Sequence, residues 1–307
     1  MNPEQSQSAP SKEPKASGLK RRSLNLCLLL LACTILISFA LAFAAQARLS
    51  GVVALLYKGA ALEDFLKRPT VSFVETYFRF MPDLPEDVIF GIDQEFIEGV
   101  QAPTFIKGGD WMSFIGLQRN GTVWVASGTD ETMKGQASKD RAWKILSLGQ
   151  PLQSNTWYRI RCYCDFNKRC FQWLEVEGEG MKRKIPLNQY KLDYPNFMPF
   201  DRGALSYYVY AMRGRSMMKN GESGKPYVYF DDVTGGIEKD GKAITLFKSS
   251  FENQLKVENQ PLSGPPIKID NYQEGLFYLE RPESRFKIEA APFARSGRKV
   301  GVADASL

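Results

Sequence analysis

The stretch from Leu24 to Ala45, LNLCLLLLACTILISFALAFAA, carries no charged residue, and no other feature restricts the possible folds of this chain so severely. At ~1.5 Å of rise per helical residue, about twenty-two residues span the ~30 Å hydrocarbon core of a bilayer. A helix buried in a water-soluble core would show a polar stripe at every third or fourth position, and none is visible here. The run therefore predicts a transmembrane helix, residues 23–47 with its flanks.

Orientation follows from those flanks. Lys12, Lys15, Lys20, Arg21 and Arg22 precede the run, against only Glu4 and Glu13, and basic flanks of this kind are retained in the cytoplasm. The expected topology is a single-pass protein of the cell membrane, amino terminus in the cytoplasm, with the bulk of the chain periplasmic or extracellular. Ala42-Phe43-Ala44 and Ala45-Gln46-Ala47 offer small-residue cleavage sites, which leaves secretion after signal removal as the alternative.

A chain of 307 residues less this tail and span leaves about 260, enough for one large domain or one domain with a small appendage. The formal charge of +6 divides about equally between tail and remainder. No basic stripe accompanies the aromatics, so no nucleic-acid partner is expected. Histidine is absent, which excludes a Ser-His-Asp relay, a His-paired cysteine nucleophile and His-ligated zinc or copper. Any chemistry falls to carboxylates, Lys, Tyr or Cys. Of the 5 cysteines, Cys27 and Cys33 lie in the apolar run, leaving Cys162, Cys164 and Cys170 in the remainder.

Residues 1–22 are rich in Ser, Pro, Gln and Lys and cannot bury apolar area, which predicts a disordered cytoplasmic tail. Residues 48–69 mix apolar positions at helical spacings, which predicts a juxtamembrane helix or linker. From Thr70 the period changes to two, and short strand candidates follow to residue 250: TVSFVETYFRF, Val88 to Phe96, Trp111 to Arg119, Thr122 to Ser127, Trp143 to Leu148, Trp157 to Cys164, Cys170 to Glu177, Gly203 to Met212, Tyr227 to Val233 and Ala243 to Ser250. Asn120-Gly121 joins two apolar runs directly and predicts a tight hairpin. The fold class expected for 70–250 is all-β, an antiparallel jelly-roll sandwich. Residues 251–307, with Pro261 and Pro265-Pro266, form a C-terminal extension that either adds strands to the sandwich or makes a small second unit.

The hairpin Asn155 to Gly178, NTWYRIRCYCDFNKRCFQWLEVEG, resembles that of concanavalin A-like sandwiches, including laminin-G-like domains and laminarinase-type glucanases. Tyr227 to Val233, YVYFDDV, is similar to their late strand ending in paired aspartates. The resemblance covers roughly Thr70 to Glu252. It extends to Gly91-Ile92-Asp93-Gln94-Glu95-Phe96, similar to the glucanase pattern Glu-Ile-Asp-x-Glu-Phe. There, three carboxylates on one strand face act as nucleophile, orienting residue and acid–base. The resemblance implies that Asp93 orients and Glu95 is acid and base, while Gly91 stands where the nucleophile is expected. Glu98, three residues beyond Glu95, points to the other face and cannot replace it.

Sugar recognition needs flat aromatic faces beside amides and carboxylates. Trp111, at a loop edge, joins Asp93 and Glu95 as the candidate ligand-binding set, with Trp124, Trp143, Trp173, Tyr207, Tyr208 and Tyr210 as further aromatics. Cys164 and Cys170 flank a five-residue turn and are the candidate disulfide, with Cys162 as rival. No metal site is expected; calcium at Asp231-Asp232 is a weak option, because adjacent strand residues point apart. The basic loop from Arg213 to Lys225 suits a solvated flexible segment, and Asn120-Gly121-Thr122 fits a glycosylation sequon. Three functional readings follow: a non-catalytic polysaccharide-binding module, a glycosidase with an incomplete carboxylate set, and a structural component that binds a protein partner in an envelope complex.

Overall fold

The computed structural model describes residues 48–56, 59–99, 109–129, 142–197, 203–213, 225–252, 258–259, 277–279 and 285–306. All of them fall in one unit, Ala47–Leu307. The predicted transmembrane run and the cytoplasmic tail lie outside the described residues, as does most of the basic loop after Arg213. No helix among the described residues is long and apolar enough to cross a membrane.

Two sheets and one short helix make up this unit. The elements are β1 (Arg48–Leu56), α1 (Ala60–Lys67), β2 (Val71–Phe80), β3 (Ile89–Ile97), β4 (Gly109–Met112), β5 (Ile115–Leu117), β6 (Thr122–Ser127) and β7 (Ala142–Ser147). They continue with β8 (Tyr158–Asp165), β9 (Cys170–Gly178), β10 (Met181–Pro186), β11 (Asp193–Phe197), β12 (Ala204–Arg213) and β13 (Tyr227–Lys239). Last come β14 (Lys242–Ser249), β15 (Glu258–Asn259), β16 (Phe277–Leu279), β17 (Phe286–Ala290) and β18 (Lys299–Asp304). The first sheet runs β15-β16-β1-β12-β3-β5-β6-β7, with β4 on β3 and β11 on β4; the second runs β10-β9-β8-β2-β13-β18-β17, with β14 on β13. Pairing is antiparallel except for β15 with β16.

The period-two patterns produce this arrangement. Phe90, Ile92 and Phe96 of β3 share one core with Val74 and Phe78 of β2 and with Ile160 and Cys162 of β8. Rings from the two sheets meet across the core, as Phe78 does on Phe90 at 5.0 Å with the planes tilted by 52°, a contact that adds about 1 kcal/mol beyond area burial. Asn120-Gly121 makes the expected tight turn between β5 and β6, with Gly121 at φ 85°, a conformation that only glycine adopts without strain.

Two expectations are corrected and one open alternative is decided. Residues 48–56, expected in a juxtamembrane helix or linker, form β1, an inner strand paired with β12 on one side and β16 on the other; only 60–67 is helical. Their apolar residues fit both patterns, and burial on both sides of a sheet decides for the strand. The single strand expected from Trp111 to Arg119 is two, β4 and β5, both on β3. The C-terminal extension resolves into strands of both sheets, β15 and β16 in the first, β17 and β18 in the second.

Candidate functional site

The alternation of β3 divides its side chains between two faces. Gln94 turns inward, where its Nε2 donates to the Cys162 carbonyl at 3.2 Å. Asp93 and Glu95 therefore share the outer face of the first sheet, as the spacing predicts. Their neighbours come from far along the chain: β12 pairs Tyr208 with Asp93 and Ser206 with Glu95, and β4 pairs Met112 with Glu95. The Tyr208 hydroxyl donates to Glu95 Oε2 at 2.5 Å, and Ser206 Oγ donates to the same oxygen at 3.2 Å. The Ser113 amide donates to Asp93 Oδ1 at 3.1 Å. These bonds explain how two carboxylates remain 2 % and 5 % exposed, since a buried charge needs partners.

At Gly91 the glucanase likeness fails for a steric reason. A Cβ at this position would fall inside the Ile115 carbonyl oxygen and close upon Gly116. The cross-strand partner Tyr210 occupies the space, its hydroxyl donating to that same oxygen at 2.7 Å and its ring stacked on Phe114 at 4.2 Å. No side chain fits where the nucleophile is expected unless the backbone moves. Beside it, Met112, Phe114, Ala126 and Tyr210 form an apolar cluster with Trp143 against it.

Trp111 offers no face to a sugar. It is fully buried, stacked on Tyr194 at 5.2 Å and covered by the Arg169 guanidinium at 4.4 Å. A position beside Gly108-Gly109 suggested a loop edge, yet pairing to Phe96 draws the indole inward. Arg169 also bonds Glu98, which lies on the inner face, away from Glu95. Burial pulls the Arg169 guanidinium down to about 10.

Cys162, Cys164 and Cys170 are free thiols. β8 and β9 pair Cys164 with Phe171 and Asp165 with Cys170, so the side chains of Cys164 and Cys170 point to opposite faces of the sheet. Among the described residues no group of three or more Cys, Asp or Glu is placed to hold a metal ion. Asp231 instead accepts from the Arg295 and Ser296 amides at 2.9 and 3.0 Å, while Asp232 bonds the Arg295 guanidinium.

Sequence reasoning named Tyr208 among several aromatics but did not assign it to Glu95, and it missed Ser206 and Ser113. Alternation along β12 places Ser206, Tyr208 and Tyr210 on one face; only the register shows which carboxylate each meets.

No family model matches this chain, and no curated protein matches it. Similar solved structures include an alginate lyase from Aplysia kurodai, at 13 % identity and TM-score 0.27 over 47 % of this chain and 70 % of that one. Another is an alginate lyase from Pseudomonas aeruginosa, at 10 % identity and TM-score 0.29 over 57 % and 67 %. A third, from Chlorella virus, gives 10 % identity and TM-score 0.27 over 56 % and 93 %. With TM-scores this far below 0.5, these likenesses carry no argument about what the chain does.

Proposed function

We propose that this chain is a membrane-anchored, extracytoplasmic β-sandwich of the concanavalin A-like jelly-roll kind that binds a polysaccharide without cleaving it. Residues 24–45 are its anchor, and Asp93, Glu95, Ser206 and Tyr208 are its hydroxyl-binding groups. The observation that carries the reading is Gly91: the face keeps two of the three carboxylates of a retaining glycosidase and has no room for the attacking one. Retention requires that nucleophile. What remains is a set of acceptors and a phenol suited to sugar hydroxyls.

A panel of soluble polysaccharides presented to the full chain tests this, with reducing-end release followed in parallel. Binding to at least one glycan without release of reducing ends is expected. Glu95→Gln and Tyr208→Phe should each weaken binding about tenfold, the loss of one hydrogen bond to a charged group. Hydrolysis that Glu95→Gln abolishes would overturn the proposal in favour of a glycosidase. Co-purification of a fixed protein partner with no glycan binding would overturn it in favour of an envelope-assembly role.

A further inference from the structure

The outer face of the second sheet carries a different arrangement, separate from the carboxylate face. Leu174, Cys162 and Val74 point into the core, so their chain neighbours Trp173, Tyr163 and Phe73 line up on the opposite face across β9, β8 and β2, with Tyr163 and Phe73 buried. Tyr163 lies 4.5 Å from Trp173 with the planes 31° apart, and Arg161 lies over both Phe73 and Tyr163 at 4.4 and 4.8 Å. At the end of this row, Trp173, Gln172, Lys184, Pro186 and Asn188 line an open groove of about 390 Å³, within the ~300 to 1,000 Å³ usual for small-ligand sites.

Three features of the groove identify its ligand class. The first is the register shift between Tyr163 and Cys164 where β8 meets β9, which leaves Gln172 without a partner residue. Such a bulge re-aims side chains, here setting an amide beside the indole. The second is the Trp173 indole N–H, which is buried and has no hydrogen-bond partner, although buried donors are nearly always paired. The third is charge. Lys184 Nζ sits 4.3 Å from the Trp173 ring centre and 3.2 Å from Glu175, so the ammonium beside the ring is already neutralised. An anionic ligand gains little from it. The Lys184 side chain is 61 % exposed and can lift off the indole.

We propose that this groove is a second saccharide site, which takes one or two pyranose rings of a neutral glycan. The apolar face of a ring replaces the Lys184 ammonium over Trp173, with its cross-strand neighbour Pro186 extending the apolar floor. Hydroxyls accept from the indole N–H and exchange hydrogen bonds with the Gln172 and Asn188 amides. This site lies on the other sheet from Asp93 and Glu95, so it stands or falls independently of them.

Titration calorimetry of the full chain with laminarihexaose and cellohexaose tests this, in a detergent without a sugar headgroup so that the detergent does not compete. Binding of at least one hexasaccharide is expected, reduced tenfold or more by Trp173→Ala and several-fold by Gln172→Ala and by Asn188→Ala. The last two groove variants change surface residues and keep the test decisive if Trp173→Ala does not fold. Wild-type affinity in both of them, or no heat from either sugar with the wild type, overturns the proposal. Loss of binding in Tyr208→Phe with the groove variants unaffected also overturns it, and assigns the hexasaccharide to the carboxylate face instead.

Discussion

Glu98 and Arg169 hold opposite charges where water does not reach, their side chains 0 % and 6 % exposed. The Arg169 guanidinium also lies against the Trp111 ring, so the pair fastens the end of β3 to the β8–β9 turn. Removing one member leaves a buried charge without its counterpart, which costs about 3–5 kcal/mol. Glu98→Gln and Arg169→Met should each lose stability on that scale in urea unfolding, and the double variant Glu98→Leu with Arg169→Met should lose less than either. At Gly91 the constraint is shape. Gly91→Glu supplies the carboxylate that the glucanase pattern calls for, but overpacking against the Ile115 carbonyl should cost ~3 kcal/mol and yield no reducing-end release. Glu252 reports on pH. The amides of Lys299 and Arg298 donate to its carboxylate and hold its pKa below the ordinary 4.5. Its contribution is therefore complete above that value and disappears as pH falls through the lower folded value. Thermal melts between about pH 3 and pH 6 should show Glu252→Gln losing less stability on acidification than the wild type.

Among the elements, the C-terminal hairpin depends most on one side chain. β18 pairs with β13 through Tyr227 to Phe230, and the turn before it is held by Asp231, which accepts four hydrogen bonds from Asp232, Arg295 and Ser296. Where β13 pairs with β2, a register shift between Asp231 and Thr234 of β13 frees the backbone to turn that carboxylate toward the 295–296 loop. Asp231→Ala leaves the backbone amides of Asp232, Arg295 and Ser296 without their acceptor, at about 1–3 kcal/mol each when buried. The expected outcome is faster amide exchange in β17 and β18 with β3 and β12 unchanged; uniform change across both sheets would contradict a local role. β10 shows how a free sheet edge is protected. Lys182, Arg183, Lys184 and Pro186 occupy it, residues that discourage pairing with another chain.

For the molecule as a whole, the two proposed saccharide surfaces lie on the outer faces of opposite sheets, with the shared core between them. A long polymer and a short oligosaccharide then become separable ligands, and variants on one face should leave the other at wild-type affinity, because contacts so far apart with no common partner are additive. The proposed anchor belongs to this scale too. Fractionation of cells that express the full chain should recover it with the membrane, with the sandwich open to added protease from the extracytoplasmic side; recovery as a freely soluble cytoplasmic species would remove the basis of the localisation.

The amino-acid order alone determined the all-β character, the hairpin at Asn120-Gly121 and the shared face of Asp93 and Glu95, because alternation and turn chemistry act between near neighbours. The same reasoning misread residues 48–56, whose apolar content suits helix and strand alike until β12 and β16 are known to flank them. Tertiary structure alone decided that Glu95 meets Tyr208, 113 residues away, that Trp111 is sealed beneath Arg169, and that Cys164 and Cys170 face apart. Each depends on register, and a shift of one residue reverses every side chain of a strand. Register is chosen by the packing of both sheets together, a quantity that no local stretch of the chain contains.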